Sequence, residues 1–111
     1  MVEISKRSRS DEEQNNHDKA VKKKSRELSN KGYKVKADGI KGYERPDTIG
    51  YKNPLRPDIY ASGHGWERII EVETESSLGK KRTKRQNKKF RQWKYRKKNR
   101  KYDMIMAEDI L

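Results

Sequence analysis

Two short stretches decide how this chain is read: Arg56-Pro57-Asp58-Ile59-Tyr60, and Glu71-Val72-Glu73 with twelve residues between Asp58 and Glu71. Side chains at i and i+2 of a strand point to the same face. Glu71 and Glu73 therefore project together, with Val72 turned to the other face. If the two stretches pair as a hairpin, Asp58 is carried to the same edge. Three carboxylates on one small sheet repel one another unless a cation sits among them. Hard divalent ions such as Mg²⁺ take oxygen ligands of this kind, so Asp58, Glu71 and Glu73 are the candidate metal ligands. Pro57-Asp58 on its own is a turn dipeptide, as is Pro46-Asp47. Asp58 differs because an apolar run follows it at once and the Glu pair follows that. Two Glu on one strand face, without Lys across, also contradict strand propensity. Such a local contradiction points to a functional site.

The chain has 111 residues, which suits one domain with a modest core. Only 29% of residues are hydrophobic and 42% are charged, so the core is small and most of the surface is solvated or faces a partner. Lys and Arg number 30 against 17 Asp and Glu, a formal net charge of +13. That excess points to a polyanion, with nucleic acid first and an acidic membrane surface second. Cys is absent, which excludes disulfides and thiolate metal sites. No apolar run approaches a membrane span and the N-terminus shows no signal-peptide core, so no membrane role and, by default, a cytoplasmic location are expected.

Working outward, residues 1–10 read as a flexible basic arm and 11–111 as a single domain. Ser10 with Glu13 has the form of a capping box opening a helix. Its stripe holds Ala20, Val21 and Leu28, filled in by His17 and Lys24. Gly32 stops it as a left-handed cap. Tyr33–Ala37 alternates apolar and basic, a short strand. Asp38–Pro57 is a long irregular excursion rich in Gly and Pro, of a length that tends to be functional or disordered. Ile59–Ala61 is a strand, Ser62-Gly63-His64-Gly65 a hairpin turn with His64 solvated, and Trp66–Thr74 the strongest strand. From Lys80 to Lys101 there are 14 Lys or Arg and no acid. Within that segment Thr83, Gln86, Phe90, Trp93 and Lys97 recur at helical spacing, with Phe90 and Trp93 as core anchors. Met104–Ala107 is a final strand.

The basic segment could be only a soluble helix face, but nothing within it offsets its charges, and an outside polyanion would. Lys80, Lys81, Arg82, Lys84, Arg85, Lys88, Lys89 and Arg91 are the candidate phosphate contacts. Neutralising about six phosphates gives log K against log salt a slope near about −5. Tyr95 and Tyr102 either pack or stack on bases. His17 either packs structurally or serves as a metal ligand or positioner of water. Gln86 either bonds core backbone or touches a phosphate or the attacking water.

The element order and acid spacing resemble the PD-(D/E)XK nuclease superfamily, which includes restriction enzymes and Holliday-junction resolvases. His17-Asp18, Ala20-Val21, Gly32-Tyr33-Lys34-Val35, Arg56-Pro57-Asp58-Ile59 and Glu71-Val72-Glu73-Thr74 are similar to stretches in short archaeal proteins of that type. The resemblance spans roughly His17 to Glu108. It implies an α+β (α/β) fold with a restriction-endonuclease-like core: a small mixed sheet flanked by helices in the order αβββαβ. It implies a Mg²⁺- or Mn²⁺-dependent endodeoxyribonuclease acting on duplex or branched DNA, with catalytic positions Asp58, Glu71 and Glu73 joined by Gln86 and His17. By analogy a homodimer is implied. One departure stands out: Glu73 occupies the position where the superfamily usually has Lys. Some restriction enzymes carry Glu there and cut. Lys52 or Lys80 could supply the missing ammonium, or the chain could be an inactive nucleic-acid-binding module of the same fold. A basic RNA-associated protein is a third reading.

Overall fold

A computed structural model describes residues 11–76 and 81–111, with side chains described from residue 84 in the second stretch. The expected basic arm 1–10, Lys80 and the side chains of Lys81 and Arg82 lie outside the described residues. The elements are α1 (Asp11–Asn30), β1 (Lys34–Ala37), β2 (Ile59–Gly63), β3 (Trp66–Glu73), α2 (Lys81–Arg96), β4 (Arg100–Met106) and α3 (Ala107–Ile110). The class is α+β, with a small mixed sheet ordered β1-β2-β3-β4. The first three strands run antiparallel and β4 lies parallel to β3, reached through the α2 crossover.

Strand alternation sends the two halves of each strand's side chains to two different helices. Ile59, Ala61, Ile70 and Val72 meet Ala20, Val21 and Leu28 of α1. Ile69 faces the other way and packs with Phe90 and Trp93 of α2, joined by Ile49, Leu55, Tyr60 and Tyr102. The α1 stripe differs from expectation at one place. Ser25 is buried on it, whereas the ammonium of Lys24 reaches Glu27 at 3.0 Å. A long cationic chain can lie along an apolar surface with its charge in water, so Lys24 flanks the stripe rather than filling it. The helix ends as expected: Gly32 adopts φ +94°, Tyr33 N–H donates to the Leu28 carbonyl at 3.1 Å and Gly32 N–H to that of Ser29 at 3.0 Å. These are the two bonds of a Schellman stop.

The hairpin turn narrows to His64-Gly65, both at positive φ, closing Gly63 against Trp66. His64 is not merely solvated. Its Nε2–H donates to the Lys31 carbonyl at 2.7 Å, and its ring meets Tyr33 edge-on at 5.0 Å, tying the hairpin to the end of α1. The last strand begins earlier than expected and stops at Met106. Helix α2 ends at Arg96, the left-handed Asn99 (φ 61°) redirects the chain, and the Asn99 carbonyl accepts from Glu67 N–H at 2.9 Å. Lys97 therefore lies beyond the helix, exposed. Ala107 is buried as the first residue of α3, which packs on α1. Among the described residues no helix is long and apolar enough to cross a membrane.

Phe90 is the largest fully buried side chain and the centre of the smaller core. Phe90→Ala is expected to cost about 3–5 kcal/mol, read as the shift of the urea midpoint at constant m. A loss under about 1 kcal/mol would contradict the packing of α2 on the sheet.

Candidate functional site

The β2–β3 register pairs Ile59 with Ile70, and one further step along the ladder sets Asp58 opposite Glu71. Pro57, fully buried, delivers Asp58 to this position at the end of the long excursion. Val72 N–H donates to Asp58 Oδ2 at 2.8 Å. The two carboxyl groups lie close enough for each to shift the titration of the other. Glu71 is 4% exposed, and its Oε1 is buried with no hydrogen-bond partner. An orphaned oxygen of this kind is costly and calls for a physical reason.

The two acids are pushed apart in their titration. Burial raises Glu71 well above the usual carboxylate range, and the charge of Asp58, their shared bond and the charge of Glu73 add to that. Burial also acts to raise Asp58. The hydrogen bond with His17, the bond with Glu71, the His17 charge and the Val72 N–H outweigh it and hold Asp58 below its ordinary value. Without a cation, the pair therefore keeps its proton on Glu71 and its charge on Asp58.

His17 is 7% exposed on α1 and sits between two carboxylates, with Nδ1 at 3.2 Å from Asp18 Oδ1 and Nε2 at 3.3 Å from Asp58 Oδ2. Both nitrogens can donate to carboxylates only in the imidazolium form. His17 therefore reaches Asp58 from α1 and is tied to it by a side-chain contact. Asp18 is held in turn by Gln14 at 3.0 Å.

Glu73 shares the Glu71 face and is 3% exposed, but it lines a separate cleft with Glu13, Asn16 and Glu108. Among the described residues no three of His, Asp and Glu are arranged as a ready set of metal ligands. Asp58 and Glu71 face one another, and Glu73 follows two residues on, with its charge still felt at Glu71. Gln86 is half-buried on the α2 stripe and makes no hydrogen bond to Asp58 or Glu71.

Tyr102 was missed as a site residue. It lies beside Ile69 on β4, packs on Phe90 at 5.5 Å between ring centres and donates its hydroxyl to Asn87 Oδ1. Burial, then the charges of Glu71 and Glu73, push its phenol up, while Arg91 pulls it down. Tyr102 therefore lies within the field of the acids as a neutral wall, and Arg91 is a cation near that wall. Starting the last strand at Met104 hid the alternation that turns Tyr102 inward.

The basic residues divide by face. Lys84, Arg85, Lys88 and Arg91 are exposed, and Lys84, Lys88, Arg91 and Tyr95 recur at 4, 3 and 4 along one outward stripe. Tyr95 is exposed, with the Lys94 ammonium 5.5 Å from its ring centre. Lys89 departs from the expected phosphate contacts. Its ammonium donates to the carbonyls of Lys52 and, at 2.9 Å, Asn53, tying α2 to the long loop. Lys52 lines a cleft with Tyr51 and Arg96.

The raised Glu71 carboxyl sets a pH dependence. Folded Glu71 keeps its proton at pH values where the unfolded side chain, near about 4.3, has lost it. The folded state then binds more protons, so this group's contribution falls as pH rises above the ordinary carboxylate range. Glu71→Gln is expected to stabilise the metal-free protein at pH 7.5 by about 0.5–2 kcal/mol and to change little at pH 4, read from urea midpoints. A larger gain at pH 4 than at pH 7.5 would contradict the protonated pair.

No family model matches this chain, and neither does any curated protein or solved structure.

Proposed function

We propose that this chain is a metal-dependent DNA endonuclease with a PD-(D/E)XK-type site on a restriction-endonuclease-like core. The observation that carries the reading is the Asp58–Glu71 pair, two opposed carboxyl groups with a buried orphan oxygen on Glu71. The pair fits a hard divalent cation, because Mg²⁺ binds through one or two carboxylates and completes its shell with waters and substrate phosphate. Asp58 and Glu71 would hold it.

When bound, Mg²⁺ supplies Lewis acidity toward the phosphate and makes water a stronger acid. Asp58 presents a carboxylate fixed by Val72 N–H and His17. Glu71, as a carboxylate with its proton released to solvent, would be the second ligand. Glu73, two residues on, would add an oxygen ligand or take a proton from the attacking water. Arg91 adds positive potential on the Tyr102 side, where charge on the reacting phosphate would build. The outward stripe Lys84, Lys88 and Arg91 holds DNA through its phosphates, which positions a substrate without reading its sequence.

The second reading, a nucleic-acid-binding module without chemistry, draws on Glu73, which stands where the superfamily usually has Lys and lines a cleft of its own. The test is cleavage of linear, nicked and branched DNA with Mg²⁺ or Mn²⁺. Asp58→Asn and Glu71→Gln are each expected to lose about 100-fold or more in rate, the scale of one group lost from transition-state stabilisation, while still binding DNA. Full cleavage by both variants would end the nuclease proposal. Chelator-insensitive binding with no cleavage by the native chain would favour the module.

A further inference from the structure

The long excursion before Asp58 is not structureless. Ile49 and Leu55 form an antiparallel bridge, with Ile49 N–H to the Leu55 carbonyl at 2.6 Å and the reverse bond at 2.9 Å. Both side chains pack against the Phe90 and Trp93 cluster, which fixes the base of this small hairpin to α2. The tip is fixed as well. Lys89 donates to two tip carbonyls, and its stem lies so close to Gly50 that a Cβ there would be 2.7 Å from Lys89 Cδ. Gly50 also sits at φ +105°, and Asn53 at φ 49°, a residue type that tolerates the left-handed region.

What this anchored tip presents is Tyr51, 96% exposed. Among the described residues no hydrogen bond or ring contact engages that ring. It borders a cleft of about 320 Å³ against α2, whose lining includes Lys52, Gln92, Trp93 and Arg96. The lining contains three cations, Lys52, Lys89 and Arg96, and no carboxylate. Lys89 is spent on the tip carbonyls, which leaves the charges of Lys52 and Arg96 and the amide of Gln92 to meet a ligand.

We infer that this cleft binds an unpaired strand of DNA, with Tyr51 stacking on a base and Lys52 and Arg96 holding its phosphates. An exposed ring beside a cationic groove is the arrangement that binds single strands, because an unpaired base offers its face whereas a duplex hides it. The fixed tip matters, since a backbone already in place leaves only the side chain to order on binding. The duplex would lie on the outward stripe of α2 and the unpaired strand would pass beside Gln92 and Arg96, so the two surfaces share one helix. This rests on the nuclease reading and deepens it: the substrate is a junction of paired and unpaired DNA.

The test measures fluorescence anisotropy of dT15, rU15 and a 15-base-pair duplex in EDTA at fixed salt, so that metal chemistry does not enter. Tyr51→Ala is expected to weaken dT15 binding about 5- to 100-fold, the usual loss of one base–aromatic stack, and to leave duplex binding within about twofold. Tyr51→Phe is expected to keep dT15 binding, because stacking needs the ring and not the hydroxyl. Tyr51 is exposed, so neither substitution threatens the fold. Equal losses on dT15 and duplex, no loss on dT15, failure of Phe to substitute, or a loss confined to rU15 would each overturn the proposal. A Tyr51 effect of the expected kind in a chain that never cleaves DNA would retain this cleft and remove the nuclease reading alone.

Discussion

Asp58 and Glu71 face one another across the β2–β3 ladder, and most of what is particular to this chain follows from keeping them there. Two buried carboxyl groups facing one another in this way disfavour ionising both without an outside cation. The sheet holds them by register, Val72 N–H fixes Asp58, and α1 sends His17 from the opposite layer to fix it again. The cost is local: a buried oxygen without a partner and a Glu raised in its titration. Functional sites commonly carry such costs while the surrounding packing holds them in place. Here the surrounding packing is two small apolar cores, one on each face of β3.

Charge is distributed with the same division. Cations needed for structure are drawn inward: Arg100 pairs with Glu67 at 3.0 Å, donates to the Trp93 carbonyl at 2.8 Å and stacks 4.2 Å over the Trp93 ring, and Lys89 closes the loop tip. Glu67 also accepts from the Tyr60 hydroxyl at 2.6 Å, and burial with that bond pushes the phenol up to about 12. Lys84, Lys88 and Arg91 stay exposed on an outward stripe of α2. A helix with this many like charges gains nothing from them internally, and the proposed DNA partner would offset them.

Much of this was legible in the sequence because the patterns were local. Period two around Ile69, Ile70 and Val72, period 3.6 through Phe90 and Trp93, and Gly32 as a stop each depend on neighbouring residues alone. The convergence of Asp58 with Glu71 was legible too, because a hairpin fixes register once its turn is known. What escaped depended on distant partners. That His17 reaches Asp58 depends on what α1 lands on. Lys89 looked like its basic neighbours, and only the loop carbonyls docking above it set it apart. Glu73 also lines a cleft with residues of α1 and α3, which no local pattern announces. Tyr102 was hidden by a strand boundary, the least secure part of any such reading. The small hairpin at Ile49 and Leu55 left no signal beyond a length of loop too great to be idle.

The central claim is that Asp58 and Glu71 together hold one divalent cation. Calorimetric titration of the native chain, Asp58→Asn and Glu71→Gln with Mn²⁺ tests it most directly. One ion bound by the native chain and lost in both variants is the result this account requires. Equal binding by all three proteins, or none by the native chain even with a non-cleavable duplex present, would contradict it.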